Sequence, residues 1–496
     1  MLWVDALCIN QADIPERNKQ VKRMAQIYRR ARKVVAWLGP ESSTSDGALA
    51  TLDFIGAQVV ATINGGRSSA PGAVHPLWYR QKTTLPYQDD TWAAISDLLA
   101  RPWFSRLWVV QEIQLAAAGS SLQCGYSAVP WSNFLSAILC LYSKPQIEYS
   151  DSPCAQRLYE QLRKLNRFIW IRAEGTFADL LFLAQGLGCV DPRDKIYGLL
   201  GLSSPKLFKA ISPDYSTPAA AVYQSLFLTT AAETQRLDCL AWCRLAGANT
   251  LGLPSWVPDW SLENRLAQSA GLMFASGYSR ASYRLLSNTV LAVDGVRAGR
   301  VKEVRGPSPT STADVLSAIR AWAPEDLLDG TYPTGESALD AFTLVLYQYL
   351  LIEHAPNERE GLQETREALR KHVKGAVSDD ESRGGPLAYL TSSYLKGRVF
   401  LRTEDGRFGF GPSDTQPGDV IATVLGCACL LLLRPMGDRF RVVGLEHAES
   451  LLGPVQAPWR LRFSFEFTTN YHTPHFYNLD TEESTVLGHC PGIGRE

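Results

Sequence analysis

The sequence has no long hydrophobic run and no excess of basic charge. Its longest uncharged apolar stretch, 420–433, is 14 residues long, whereas a membrane-spanning helix needs about 20. Lys and Arg number 49 and Asp and Glu number 50, so the formal net charge is −1. A general nucleic-acid-binding protein is usually basic. We therefore expect neither a membrane span nor a nucleic-acid partner.

The sequence also has no Cys-x-x-Cys motif, although it contains ten cysteines. The closest pairs are Cys239 with Cys243 and Cys427 with Cys429. Cysteines without metal-ligand spacing are typical of buried, reduced thiols, so we favour thiols over a metal site. The segment Met1–Asp5 has no basic stretch of the kind that opens a signal peptide. These features predict a cytoplasmic protein.

Familiar catalytic motifs are missing as well. There is no glycine-rich phosphate loop, no His-Glu-x-x-His and no Gly-x-Ser-x-Gly. Any chemistry must therefore come from a less common arrangement of side chains. The length of 496 residues is enough for two to four domains, each with its own core.

The first 40 residues have the pattern of a strand, a helix and a second strand. Leu2–Leu7 is apolar and of strand type. A helix is predicted from Pro15 to Arg32, with Asp13 as its N-cap. Lys33–Leu38 is the second predicted strand, closed by Gly-Pro. Two strands joined by a helix predict a βαβ unit and hence a parallel sheet.

The rest of the chain changes character twice. We predict an α/β domain with a parallel sheet, then a mainly helical region, then a small C-terminal β module, with helix predominating overall. The β module is interrupted by a helical insertion, and 376–386 is the predicted flexible link. The predicted boundaries are 1–125 for the α/β domain, 126–265 for the helical region, 266–310 with 390–465 for the β module, 311–378 for the insertion and 466–496 for a tail.

Several segments together resemble the fungal heterokaryon-incompatibility (HET) domain family. They occur in the order found in that family and are more specific together than any one of them alone. The segments are Leu2–Gln11 (LWVDALCINQ), Ala31–Gly39, Arg101–Glu112 (RPWFSRLWVVQE), Asp191–Leu202 (DPRDKIYGLLGL), Pro213–Tyr215 and Leu253–Ser261 (LPSWVPDWS).

This resemblance implies a role in nonself recognition between fungal cells, ending in programmed cell death. HET domains are in turn distantly similar to TIR domains, which have a flavodoxin-like parallel sheet. Members of the family normally open with a further strand and helix ahead of the Leu-Trp-Val-Asp segment, which stands here at Leu2–Asp5. The resemblance thus predicts an N-terminally incomplete sheet with an unpaired edge.

The TIR resemblance also implies a candidate catalytic residue, Glu112. Enzymatic TIR domains cleave NAD at the nicotinamide–ribose bond with a glutamate in a Trp-x-x-x-Glu helix motif. Trp108 and Glu112 match that motif, and their spacing places them on one helix face. A carboxylate suits this reaction because loss of nicotinamide develops positive charge on the ribose.

Four residues are predicted to bind the substrate near Glu112: Asp5, Asn10, Arg106 and Trp108. Ligands in open α/β sheets bind at the carboxyl ends of strands, where we place Asp5 and Asn10. The fork of Arg106 suits a phosphate. NAD is the expected substrate, with no cofactor and no metal. In the alternative interpretation, Glu112 is structural and pairs with Arg101 or Arg106, and Trp108 belongs to the core.

Two further features bear on partners and on local structure. The helix 15–32 carries a basic stripe that fits a solvated face or a surface for self-association. Asp191 is expected to cap a helix, with Arg193 and Asp194 in ion pairs. The expected partner is a second copy or another incompatibility protein. Besides NAD cleavage, the sequence leaves two functions open: a non-enzymatic interaction module and an inactive, truncated family member.

Overall fold

The computed structural model describes most of the 496 residues. The described residues are 2–61, 66–148, 150–169, 176–245, 250–262, 275–346, 358–376, 387, 395–446 and 461–465. The predicted link, apart from Ala376, and the predicted tail lie outside them. Within them the protein is mixed α/β, with many helices and a C-terminal β-sheet.

The N-terminal part combines short strands with helices. Its helix α2 begins as the sequence predicted, because the Asp13 carboxylate accepts the backbone N–H of Glu16 at 3.0 Å. The elements are α1 (Asp5–Cys8), α2 (Ile14–Arg30), β1 (Val35–Trp37), α3 (Ser45–Gln58), β2 (Val59–Ala61), β3 (Arg67–Ser69), α4 (Asp89–Leu99), α5 (Trp108–Gln114), β4 (Ser121–Cys124) and β5 (Ser127–Pro130).

The predicted strand Leu2–Leu7 is wrong. Residues 5–8 form the single helical turn α1, closed by the N–H groups of Cys8 and Ile9 on the carbonyls of Val4 and Asp5. The Asp5 carboxylate stabilises the start of the turn by accepting the N–H of Ala6 at 2.8 Å. The predicted βαβ unit is therefore wrong as well.

Parallel pairing does occur, but between strands far apart in sequence. β1 pairs in parallel with β4, with Val35 opposite Ser121 and Trp37 opposite Gln123. β5 then adds to β4 as an antiparallel hairpin. The long connection through α3, α4 and α5 satisfies the need of a parallel pair for a crossover. A local sequence pattern does not reveal such a pairing.

The three-stranded sheet buries only one of its faces well. Ala36 of β1 is buried, as are Leu122 and Val129 of β4 and β5. On the other face, the side chains of Val35 and Trp37 are 46% and 53% exposed. β1 is also an edge strand among the described residues.

A mainly helical region follows, as predicted. It packs on the N-terminal part in one continuous core. Its helices are α6 (Trp131–Tyr142), α7 (Pro145–Glu148), α8 (Pro153–Ile169), α9 (Phe177–Leu183), α10 (Asp194–Tyr197), α11 (Pro205–Ala210) and α12 (Ala219–Thr234). The Pro/Trp-rich segment Leu253–Ser261 is an irregular corner in which Trp256 and Trp260 are buried.

The C-terminal part is a β-sheet with helices inserted between β7 and β8. β7 is long and pairs with β6, β8, β10 and β13, and through β10–β11–β12–β13 the sheet returns to β7. The elements are β6 (Tyr283–Ser287), β7 (Val290–Arg305), α13 (Thr312–Trp322), α14 (Ala338–Leu346), α15 (Glu358–Val373), β8 (Arg398–Thr403), β9 (Phe408–Pro412), β10 (Val420–Val424), β11 (Leu430–Met436), β12 (Arg439–Glu446) and β13 (Leu461–Phe465).

None of the described helices combines the length and the apolar character that crossing a membrane requires. The domain boundaries given above stay predictions.

Candidate functional site

Helix α5 places Glu112 at the boundary between core and solvent. The chain enters α5 through a 3₁₀ turn, Pro102–Ser105. Val109, Val110 and Ile113 of α5 are buried in the core, which fixes the helix rotation. Glu112 then falls on the side of the helix that is only partly buried. A carboxyl group in that position keeps access to solvent while losing much of its hydration.

The surroundings of Glu112 raise the pKa of its carboxyl group to about 7. Burial is the largest cause, and the negative charge of Asp5 adds to it. The positive charge of Arg106 acts in the opposite direction. A group with this pKa changes its charge near neutrality, which is typical of residues in acid–base and electrostatic catalysis.

Tyr28 of α2 interacts electrostatically with the same three residues, Asp5, Arg106 and Glu112. Burial is the main reason why its pKa is raised, and the carboxyl groups of Glu112 and Asp5 raise it further. The phenol therefore stays neutral and keeps a proton to donate. Its ring packs edge-on against Trp3, with 5.7 Å between the ring centroids. We call Asp5, Tyr28, Arg106 and Glu112 the Glu112 cluster.

Glu112 is not neutralised by a direct ion pair. Among the described residues, no Lys or Arg nitrogen lies within 4.0 Å of its carboxylate, and the carboxylate accepts no hydrogen bond. Arg101, one suggested partner, instead donates to the carbonyls of Leu38 and Pro40 at 3.0 and 2.8 Å. The structural alternative in which Glu112 pairs with Arg101 or Arg106 therefore has no contact to support it.

Asn10 is placed differently from the other predicted site residues. It lies in the turn before α2, where its Oδ1 accepts the N–H of Ala12 at 3.2 Å. Its own N–H donates to Glu16 Oε1 at 3.2 Å. No contact joins Asn10 to the Glu112 cluster within the described ranges. The argument that placed Asp5 and Asn10 at the end of a strand fails because that strand does not form.

Trp108 makes a contact that the sequence analysis missed. Its indole Nε1 donates to Oδ2 of Asp194 at 3.3 Å, and Tyr215 donates its hydroxyl to Oδ1 of the same carboxylate at 2.6 Å. Asp194 is buried, and this burial raises its pKa although both donors lower it. Asp194 was expected to form an ion pair, and instead it accepts two neutral donors.

Arginines surround the Tyr215 ring and connect it to α2. The guanidinium carbon of Arg17 lies 3.4 Å from the ring centroid, and that of Arg193 lies 5.2 Å from it. Arg193 also forms a bidentate pair with Asp191, at 2.9 and 2.7 Å. Asp191 accepts the N–H of Arg193 at 3.0 Å, so it stabilises the turn that leads into α10.

Two side chains, one from α2 and one from α5, form hydrogen bonds with the segment Asp191–Leu202. Arg29 of α2 donates to the carbonyl of Gly201 at 2.6 Å. The buried side chain of Gln111 accepts the N–H of the same glycine at 3.0 Å. Segments that resemble the HET family but lie almost 100 residues apart thus meet beside α5. Residues after 112 therefore contact α5, the helix that carries Glu112.

The close cysteine pairs of the sequence come together in the structure. Cys239 and Cys243 pack with Cys427 and Cys429 in the core, and all four are buried free thiols. Burial is the main cause of the raised pKa of Cys239 and Cys243. Among the described residues, no group of three or more His, Cys, Asp or Glu side chains could hold a metal.

Part of this chain matches a known protein family. The profile of the family "Heterokaryon incompatibility protein (HET)" matches residues 1–112, and the match ends on Glu112. Residues 1–112, which we call the HET segment, are thus similar to the HET family. The HET segment therefore contains all of α1, α2 and the Glu112 cluster, whereas Asp194 and Tyr215, which position Trp108, lie beyond it.

A curated relative extends the similarity. The protein named "Heterokaryon incompatibility protein 6, OR allele" of Neurospora crassa is 29% identical over 310 residues, which are 52% of this chain and 45% of that protein. The chain thus matches less than half of the relative's length. No solved structure matches this chain.

Proposed function

We propose that this protein is a member of the HET family that acts in heterokaryon incompatibility, and that its HET segment cleaves NAD at the nicotinamide–ribose bond. The family match and the relative's printed name support the first part. The second part rests on one observation. Glu112 is a partly buried carboxyl group with a pKa of about 7 and no direct partner among the described residues, beside one arginine.

The proposed reaction is a hydrolysis. The bond between ribose C1′ and the nicotinamide nitrogen breaks, and its electron pair stays with the nitrogen, so neutral nicotinamide leaves. The positive charge that develops at C1′ is stabilised by ionised Glu112. Water then adds to C1′ and releases a proton, giving ADP-ribose. No metal or cofactor takes part.

Arg106 and Tyr28 have matching roles in this proposal. Arg106 is exposed and close enough to Glu112 to lower its pKa, so its guanidinium can hold the NAD pyrophosphate next to the carboxylate. Neutral Tyr28 can donate a hydrogen bond to a ribose hydroxyl. Asp5 raises the pKa of Glu112 and thereby shapes its titration. In this proposal Trp108 has a structural role: its hydrogen bond to Asp194 anchors α5, the helix that carries Glu112.

The test is nicotinamide release from NAD by the purified full chain, with Glu112→Gln as the deciding variant. Loss of one electrostatic stabiliser costs about 100- to 1000-fold in rate, and we expect a decrease of that size. Glu364→Gln, on the exposed face of α15, is the matched control and should keep the wild-type rate. Equal rates in wild type and Glu112→Gln would remove the assignment, and so would a wild-type chain that releases no nicotinamide.

The cellular part of the proposal has its own test. Induced expression in a fungal host should lower NAD and viability for the wild type and not for Glu112→Gln. If both versions kill the cells equally without a change in NAD, the HET segment signals without catalysis.

A further inference from the structure

The outer face of α2 carries positive charge that the protein does not neutralise. Residues 14–33 hold eight Lys and Arg side chains and a single acid, Glu16. Glu16 is already engaged, because its carboxylate accepts the N–H of Asn10 at 3.2 Å. The buried side of the helix is apolar, with Val21, Met24 and Ala25. Arg17 lies 3.9 Å from Asp191 and packs on the Tyr215 ring, whereas the other basic side chains of this stretch are exposed.

Three of these side chains form the centre of the exposed face. Lys19, Arg23 and Arg30 are exposed, and their spacing of four and seven residues aligns them along the helix. We call them the α2 basic face. Within the described residues they make no ion pair or hydrogen bond. By contrast, Lys22 donates to Ser212 at 2.9 Å and Arg29 donates to Gly201, so those two are used in holding α2 to its neighbours.

The rest of the chain has an excess of acidic residues, which are complementary to the α2 basic face. Lys and Arg number 49 and Asp and Glu number 50. Outside residues 14–33 the chain therefore carries 41 basic side chains against 49 acidic ones. A second copy of this chain brings the opposite charge that the α2 basic face lacks. The net charge of −8 outside residues 14–33 (41 minus 49) disfavours an external polyanion such as nucleic acid.

One acidic surface is well suited to this role. The loop 324–336, between α13 and α14, has four acids and no basic residue. Asp326 is paired with Arg402 at 3.2 Å. Glu325, Asp329 and Glu336 are exposed and have no ion pair among the described residues. We call these three the acidic loop.

The acidic loop is held in shape by the fold beneath it. Tyr332 is buried, and its hydroxyl accepts the N–H of Phe408 on β9 at 2.9 Å. A bridge between Thr331 and Ser337 closes the loop, and the N–H of Gly330 donates to the Asp326 carbonyl at 2.7 Å. Because the backbone is already ordered, little entropy is lost when its carboxylates meet a partner.

From this complementarity we propose that the chain self-associates through the α2 basic face of one copy and the acidic loop of another. The two surfaces belong to different parts of the chain, so the contact is heterologous and can add further copies or close into a ring. Exposed charges attract weakly one by one, and the association is accordingly sensitive to salt. The inference does not rest on NAD cleavage.

The experiment is sedimentation of the purified full chain over a range of concentrations and salt. At about 50 mM salt the average mass should rise with concentration, and at about 500 mM the dissociation constant should weaken at least about tenfold because the charges are screened. The variant Lys19→Glu/Arg23→Glu/Arg30→Glu should stay monomeric at low salt, and so should Glu325→Lys/Asp329→Lys/Glu336→Lys.

The mixture of these two reversed variants is the decisive sample. Each has one reversed and one native surface. In the mixture the two reversed surfaces attract one another and so do the two native surfaces, so association between the two variants should return. A matched control, Lys164→Glu/Lys206→Glu/Lys209→Glu, makes the same change in net charge at exposed lysines elsewhere and should associate like the wild type. Circular dichroism confirms that each variant is folded.

Several outcomes would overturn the proposal. A wild-type chain that stays monomeric at low salt removes it. Loss of association only in the α2 variant, without rescue by the acidic-loop variant, assigns the contact to another surface. A labelled DNA duplex that binds the α2 basic face while the protein stays monomeric makes nucleic acid the partner instead.

Discussion

Trp108 is tied to Asp194 by a hydrogen bond of 3.3 Å from the indole Nε1 to Oδ2. The two residues lie on either side of the end of the family match at residue 112. Asp194 also accepts the Tyr215 hydroxyl at 2.6 Å. One buried carboxylate thus links the start of α5, the helix that carries Glu112, to a segment that follows it by more than 80 residues.

The first prediction concerns this link. Asp194→Ala removes the acceptor of two donors in a buried place, and each unsatisfied group costs about 1–3 kcal/mol. We expect the free energy of unfolding, measured with urea, to fall by about 2–4 kcal/mol. Asp97→Ala, whose exposed partner is Arg157, should cost less than about 1 kcal/mol. Equal losses for Asp194→Ala and Asp97→Ala would show that the buried contacts contribute nothing of their own.

The local elements were easier to predict than the contacts between them. The helix predicted from Pro15 to Arg32 forms at Ile14–Arg30 with Asp13 as its N-cap, because apolar periodicity and capping residues act within a few positions. Leu2–Leu7 was predicted as a strand and forms a turn of helix at Asp5–Cys8. A short apolar run does not by itself distinguish the two.

The candidate site was predictable in part, for the same reason. The Trp-x-x-x-Glu spacing pointed to Glu112, and the structure brings Asp5 and Arg106 within electrostatic reach of it. The role of Asp194 could not be predicted, since its donors stand 86 and 21 residues away. Contacts of that separation leave no periodicity in a single sequence.

The second prediction uses the pKa of Glu112. In the folded protein it is raised from 4.5 to about 7, so the folded state holds a proton that the unfolded state has lost between these pH values. Stability therefore decreases as pH rises from about 4.5 to about 7. At 1.36 kcal/mol for each pKa unit, the decrease from this group is at most about 3 kcal/mol.

The measurement for this second prediction is the free energy of unfolding across that pH range for wild type and Glu112→Gln. The variant carries no titrating group at this position, so its stability relative to wild type should grow as pH rises. Glu364→Gln is again the control. A constant difference between wild type and Glu112→Gln at all pH values would mean that the surroundings do not raise the pKa of Glu112.

The third prediction concerns the glycine between α2 and α5. A Cβ placed on Gly201 would lie 2.6 Å from Ala25 Cβ and 2.7 Å from Gln111 Cδ, closer than packed carbon atoms allow. Gly201→Ala should therefore destabilise the protein by about 1–3 kcal/mol, measured as a lower midpoint of thermal unfolding. Gly47→Ala is the matched control, since nothing lies within 4 Å of its Cβ position in α3, and it should stabilise by about 0.5–1 kcal/mol.

If Gly201→Ala proved as stable as the wild type, α2 and α5 would have to separate without cost. The Gln111–Gly201 contact would then not hold Glu112 in place.

The last prediction concerns a buried ammonium group. Lys144 has no exposed surface, and its Nζ donates to the carbonyls of Trp78, Arg80 and Thr83 at 2.7, 2.7 and 2.9 Å. Burial is the main cause of its lowered pKa. Lys144→Met has a similar volume but leaves all three carbonyls without this donor, so we expect a loss of about 3–5 kcal/mol. The same substitution at exposed Lys82 should change stability by less than about 0.5 kcal/mol.

Because the three carbonyls belong to the loop around 78–83, limited proteolysis should cut Lys144→Met first in that loop. Cleavage elsewhere, with the loop still protected, would show that other contacts hold it.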